Sequence, residues 1–255
     1  MDIKAPEEVL FTVPQALERL LAFPSTLGWI FRGQANSRWP LLPRAGREPY
    51  YRRKPISPPA DIGRLNHWRQ LAVGYHSNVP VPSNLFEAMA HAQHYGLPTR
   101  LLDWTESALT ALYFACSDRY DEEGALYAYF ADYYVNNDVN DYAAVKRVSR
   151  LRVAPFDRRL LAQEATFVYF PNPRESLKPA PIAAELGEPS GVNLLKFSIP
   201  ADFKTHIMRQ LRELGVTRKL LFPDLDGLSQ SFVEEFHRTD AFKRRAAVEA
   251  LEYEI

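Results

Sequence analysis

Hydrophobic and polar positions alternate with two different periods along this chain. Ala16, Leu17, Leu20 and Leu21 share one helical face, which predicts a helix over 13–22. Thr12 is placed to cap it, Pro14 sits in its first turn and Pro24 ends it. Residues 28–33 read as a short apolar strand running into a glycine turn. Six prolines between 40 and 62 predict a long surface loop carrying the basic run Arg52-Arg-Lys54. A helix is expected over 61–77, with Leu65, Trp68 and Leu71 on one face. Another is expected from a Ser83 cap to a stop at Gly96, and a third from about Thr105, burying Leu109, Leu112, Tyr113 and Cys116. Strands are predicted at 126–130, 165–170 and 194–199, and an Asn/Asp-rich insertion loop at 132–145. Helical patterns follow at 201–214, 226–236 and in a charged segment over 240–253.

Strands and helices mix here without a regular βαβ rhythm. The expected fold is therefore α+β: one compact domain over 1–255, a small mixed or antiparallel sheet packed with several helices. Its motif core spans about 28–228, flanked by the 13–22 and 240–253 helices.

Composition narrows the picture. Apolar residues make up 46% of 255, enough for a large core, and 31 basic residues balance 31 acidic ones. That balance removes the global basic excess of most phosphate-gripping nucleic-acid binders, while leaving a local patch, a nucleic-acid partner or a protein partner open. Cys116 is the lone cysteine, so no intrachain disulfide forms. A reducing cytoplasm suits such a chain, and a multi-thiolate zinc site is excluded. The start of the chain does not read as a secretory signal, and no apolar stretch approaches the ~20 residues of a membrane span. A soluble cytoplasmic protein is expected.

Three polar groups stand where the pattern predicts burial. The first is Arg32, Gly33 and Gln34 at the end of the apolar strand. Arg32 reads either as a clamp for phosphate or carboxylate, with Gly33 admitting a close approach, or as an internal partner of Asp103. The second runs from His91 to Thr105. His91 and His94 stand at i, i+3, followed by Gln93, Thr99, Arg100, Asp103 and Thr105, with Asp103 or Thr105 placed to cap the next helix. It reads as a ligand pocket, a network locking two helices together, or both. His91, His94 and Asp103 also allow a metal- or histidine-dependent phosphodiester hydrolase, but His-x-x-His is not the zincin spacing and no metal site is expected. The third is Gln163 and Glu164 at the mouth of a strand, where a carboxylate serves as base or electrostatic stabiliser, or merely as a solvated strand end. No dinucleotide-binding or Walker-type glycine loop occurs.

Taken together, Phe31-Arg-Gly33, the run from Ala92 to Thr105 and Ala111-Leu-Tyr-Phe-Ala115 resemble the bacterial FRG domain. Gln163 with Phe167, and Leu221-Phe-Pro-Asp-Leu-Asp-Gly227, resemble later elements of the same family, so the resemblance runs from about Phe31 to Leu228. An arginine followed by glycine on an early strand also resembles the opening of arginine-type ADP-ribosyltransferases. That similarity implies an ADP-ribosyltransferase-like fold and an enzyme that takes NAD or another nucleotide, transferring or hydrolysing the ADP-ribosyl group, as a toxin or phage-defence effector. Arg32 would then hold phosphate, Glu164 or Gln163 would stand near the ribose, and His94, Asp103 and Thr105 would shape the pocket. The competing reading is a non-enzymatic ligand- or partner-binding domain in which Arg32 and Asp103 form a structural pair.

Overall fold

The computed structural model describes residues 7–21, 28–50, 59–75, 80–136, 138–182 and 192–236. The expected 240–253 helix, the Arg52–Lys54 run and Pro24 lie outside them. The strands are β1 (Glu7–Val9), β2 (Trp29–Gln34), β3 (Leu101–Thr105), β4 (Gly124–Phe130), β5 (Ser149–Leu151), β6 (Ala165–Tyr169) and β7 (Leu194–Ile199). They form one mixed sheet in the order β1-β7-β4-β2-β3-β6-β5, with β1 and β7 parallel and the other neighbours antiparallel. The helices are α1 (Val13–Leu21), α2 (Ala60–Ala72), α3 (Leu85–His94), α4 (Ala108–Cys116), α5 (Arg158–Ala162), α6 (Ala201–Glu213) and α7 (Arg218–Leu221), and residues 225–236 are also helical. The fold is α+β, as the mixed pattern predicts.

The register contains the feature that positions everything else. β2 matches β4 over six residue pairs and β3 matches β6 over five, yet β2 and β3 meet at Phe31 and Thr105 alone. The sheet is thus two sub-sheets, β1-β7-β4-β2 and β3-β6-β5, joined at one pair. Past that pair the two strands part.

Each sub-sheet has its own helical cover. Leu126, Ala128, Leu195 and Phe197 pack against α1, α4 and α6, whereas Leu101, Phe167, Tyr169 and Leu151 pack against α2 and α3. Ile30, Leu102, Trp104, Tyr127 and Val168 form a third core with Leu41. Buried Leu41, Pro43, Ala45 and Gly46 show that residues 40–50 are not the surface loop their prolines suggest; Arg44–Gly46 is a 3-10 turn.

Two helix starts differ from the sequence expectation. Asn84, not Ser83, caps α3, accepting from the Phe86 and Glu87 amides at 2.8 and 3.2 Å. Asp103 and Thr105 cap nothing as helix residues, because 101–105 is a strand; Ser107 caps α4 instead. The five residues 101–105, with exposed Asp103 at their centre, are too few for periodicity to separate a strand from a turn, and pairing with β6 decides the matter. At α1, Thr12 Oγ1 does accept from the Gln15 amide at 3.3 Å. The 132–145 loop packs Val135, Val139, Tyr142 and Val145 onto the α2–α3 core, and its Asn140 accepts from the Leu85 amide at 2.6 Å. Among the described residues no helix is long and apolar enough to cross a membrane.

Gly33 sets the distance between β2 and α4. A Cβ there would stand 1.8 Å from the Ala111 carbonyl oxygen and 2.5 Å from the Ala115 nitrogen. Glycine serves the approach of helix backbone, not of a ligand phosphate. Gly33→Ala is therefore expected to cost at least about 3 kcal/mol in urea unfolding, the upper end of ordinary overpacking. Gly74→Ala, whose added Cβ meets only ordinary contact at 3.4 Å, is the near-neutral control.

Candidate functional site

Where β2 and β3 part, a cleft of about 510 Å³ opens, within the usual size of ligand pockets. Its lining includes Phe31, Asp103 and Thr105, and also Arg32, Gln34 and Trp104, which stand at the alternate positions of the same strands. A cavity resting on an intact sheet reaches only one parity of each strand. This one enters the gap itself.

Arg32 spans that gap. Its Nη1 donates to the main-chain carbonyl of Asp103, an acceptor left free because β3 is not paired to β2 at this point. The expected side-chain ion pair between Arg32 and Asp103 is absent: among the described residues no carboxylate lies within 4 Å of the guanidinium. Burial lowers the Arg32 pKa to about 10, with Asp103 opposing the shift, so the group stays charged at neutral pH. Its Nε is buried without a partner, as are Trp104 Nε1 and Gln34 Oε1 in the same lining. Each such orphan costs about 1–3 kcal/mol relative to a satisfied group. Two donors and one acceptor on residues of the lining are thus buried and unsatisfied.

The Asp103 side chain is oriented from the other wall. The Leu101 amide donates to Thr99 Oγ1 at 3.1 Å, which turns the Thr99 hydroxyl proton toward Gln93 Oε1. The Gln93 amide is fixed by that bond, and its Nε2 donates to Asp103 Oδ1 at 2.7 Å. Thr99 does not line the cleft; it acts through Gln93. Gln163 ties the α5–β6 corner to the C-terminal motif, accepting from Thr105 Oγ1 at 2.6 Å through its carbonyl and donating to the Leu221 carbonyl at 3.0 Å. Asp224 in that motif takes Arg159 Nε at 2.6 Å, which holds its carboxyl below the usual range.

Of the residues singled out by sequence, Arg32, Gly33, Gln34, Gln93, His94, Asp103, Thr105 and Gln163 line this cleft. Four do not. Arg100 is buried elsewhere, bonded to both Asp61 oxygens and the Pro171 carbonyl. Thr99 stands behind Gln93. Glu164 is exposed and outside the lining, at the positive φ of 45° that begins β6. His91 turns away into an aromatic nest, with ring centroids 4.7 Å from Phe156, 5.4 Å from Tyr95 and 6.0 Å from Trp68. His94, one turn on, faces the cleft 3.7 Å from Asp157. The two histidines therefore do not converge with Asp103, and among the described residues no group of three His, Cys, Asp or Glu could hold a metal ion.

Several lining residues escaped the sequence reading: Trp39, Arg47, Asp118, Arg159 and Phe222. So did Lys204, fully buried on α6, whose Nζ donates to the carbonyls of Ala35, Asp118 and Arg119 at 2.7, 3.0 and 2.9 Å. All three of its protons are used, so it fixes two segments of the cleft wall. Nothing in its helical spacing distinguishes it from a surface lysine.

Residues 28–124 match the sequence model of the FRG domain, a span that includes β2, α3, β3 and α4. The chain carries an FRG domain. The Phe-Arg-Gly tripeptide that heads it is the point where the sheet splits, and the long motif around Thr99 supplies the wall that orients Asp103. No match was found among curated proteins or among solved structures.

Burial, with His94 nearby, lowers the pKa of His91 in the FRG domain, and neither ring nitrogen has a partner. The unfolded chain therefore binds more protons than the folded one as pH drops below about 6.5. His91 contributes full stability above that value and loses it as pH falls through the lower folded-state pKa. His91→Phe is expected to keep the melting temperature at pH 7.5 and to flatten its decline between pH 7 and pH 5, read by differential scanning calorimetry. An unchanged slope would show that His91 carries none of it.

Proposed function

We propose that the cleft binds a nucleotide and that NAD is its substrate, the ADP-ribosyl group being transferred to an acceptor or to water. The observation that carries this reading is Arg32, a guanidinium in the cleft lining that is held by a main-chain carbonyl and, among the described residues, has no carboxylate within 4 Å. A charged donor held in fixed geometry without a carboxylate suits a phosphate oxygen. Arg47 adds positive charge along the same lining, while Trp39, Phe114 and Phe222 offer apolar faces for a base or a nicotinamide ring.

Asp103 is the lining carboxylate next to Arg32, and it takes over the role the sequence gave to Glu164. On NAD the ribose–nicotinamide bond breaks, and nicotinamide leaves neutral with the electron pair. The ribose then carries the positive charge that a carboxylate held by Gln93 would stabilise. Water or an acceptor hydroxyl attacks the ribose carbon and gives up a proton, which we assign to His94.

Isothermal titration with ADP-ribose and NAD tests binding, and release of nicotinamide tests turnover. Arg32→Ala is expected to weaken ADP-ribose binding at least tenfold while the fold persists, and Arg32→Lys to restore it only in part because the guanidinium fork is lost. Asp103→Asn should bind ADP-ribose within a few-fold of wild type and lose turnover, whereas Glu164→Gln should match wild type in both. Wild-type protein that binds neither ligand, or Arg32→Ala that binds as tightly, would sink the reading.

A further inference from the structure

Arginines in this protein fall into two kinds. Arg19, Arg119, Arg152 and Arg218, among others, each meet a carboxylate. Arg44, Arg47 and Arg64 do not. Arg44 donates to the Gly96 carbonyl at 3.2 Å and to the Tyr50 hydroxyl at 3.0 Å. Arg47 donates twice to the Leu42 carbonyl, at 3.0 and 2.7 Å, and Arg64 donates to the Tyr50 carbonyl at 2.9 Å. Among the described residues none of the three has a carboxylate within 4 Å. Neutral oxygens fix where each guanidinium lies without cancelling its charge.

These three are also contiguous. Arg47 lines the same cleft as Arg32 and closes a turn with Arg44, its amide donating to the Arg44 carbonyl at 3.1 Å, and Tyr50 joins Arg44 to Arg64. Asp103 offsets part of the charge at the inner end only. Positive charge therefore runs from the floor of the cleft, past its rim, to α2. Arg44 and Arg64 lie outside the cleft lining, so a ligand confined to the cleft would leave both without an anion.

We propose that this track holds the backbone of a single-stranded nucleic acid whose terminal or splayed nucleotide lies at the cleft mouth. Guanidinium forks, rather than lysines, suit phosphate oxygens. Flat aromatic surfaces accompany them: Arg44 lies 5.0 Å over the Tyr50 ring, and Trp39, 40% exposed with Arg119 5.1 Å over its ring, lines the cleft. Stacking of bases on such rings favours a nucleic acid over an acidic peptide, which carries no aromatic planes of its own. A duplex keeps its bases stacked away from a pocket, so the single strand is the form that fits. The inference draws on the nucleotide reading for the cleft end alone; the track lies beyond it.

Fluorescence anisotropy with labelled mixed-sequence 12-nucleotide DNA and RNA tests this, alongside titration of ADP-ribose into the same proteins. Wild type is expected to bind the oligonucleotide with a salt dependence of about 0.7 logarithmic units per phosphate contacted. The double variant R44Q/R64Q should lose two contacts, about 1.4 of that slope, and bind roughly tenfold more weakly at 0.1 M salt. Its ADP-ribose affinity should not change, since neither residue lines the cleft. Binding of the oligonucleotide that falls in R44Q/R64Q supports the track even where ADP-ribose does not bind at all, an outcome that would remove only the nucleotide reading. No binding to wild type, equal binding by the folded double variant, or equal displacement by polyglutamate of the same length would overturn the proposal.

Discussion

Strands β2 and β3 share one register pair, Phe31 with Thr105, and the gap beyond it has to be stabilised without a ladder. Two devices do so. Arg32 reaches across and takes the Asp103 carbonyl that a β2 amide would otherwise satisfy. On the closed side of the hinge, fully buried Arg150 gathers three elements: Nε donates to Thr166 Oγ1 at 3.2 Å, Nη1 to the Gly28 carbonyl at 3.2 Å, and Nη2 to Glu106. It braces the start of β2 and the end of β3 to β6, so the sub-sheets stay joined at one end while they part at the other. An unpaired strand edge inside a protein is costly. Here that cost is offset by the side-chain bonds of Arg32 and Arg150 to main-chain carbonyls at the gap and beside it.

This arrangement explains why parts of the fold were readable from the residues and parts were not. Period carried α1, α3, α6 and β7, because each buries a regular face: Ala16 and Leu20, Ala88 and Met89, Ile207 and Leu211, Leu195 and Phe197. It failed at 101–105, where Leu102 and Trp104 face one core and Leu101 another. Both faces are covered, so alternation fades and only pairing with β6 reveals a strand. Gly33 was visible as a requirement for close approach; that the approaching group is the α4 backbone follows from long-range packing. The 40–50 segment misled because proline density marks irregular backbone, not exposure.

Candidate site residues show the same division. Those in one short sequence window, Gln93, His94, Asp103 and Thr105, were identifiable as a group because one turn brings them together. His91 lies in that window too, only about 60° around α3 from His94; both rings touch Phe156, but His91 sits one turn earlier, against Trp68 and outside the cleft lining. The missed residues Trp39, Arg47, Arg159 and Phe222 come from segments far apart in sequence, and no local pattern couples them. Arg150 and Lys204 were equally silent. A buried cation is defined by the carbonyls it meets, which the sequence around it does not record.

A formal charge of zero conceals this segregation. Several arginines are paired with carboxylates, whereas Arg44, Arg47 and Arg64 meet only carbonyl and hydroxyl oxygens. Their side chains are already fixed by carbonyl and hydroxyl oxygens, as Arg47 is by Leu42 and Arg44 by Tyr50. An arriving anion then meets donors whose rotamer freedom has been surrendered during folding rather than on binding. Arg32 carries the argument furthest. It is half-buried, held at one end by a carbonyl and left at Nε without a partner. An unsatisfied buried donor of this kind costs about 1–3 kcal/mol, so the split in the sheet is maintained against local stability.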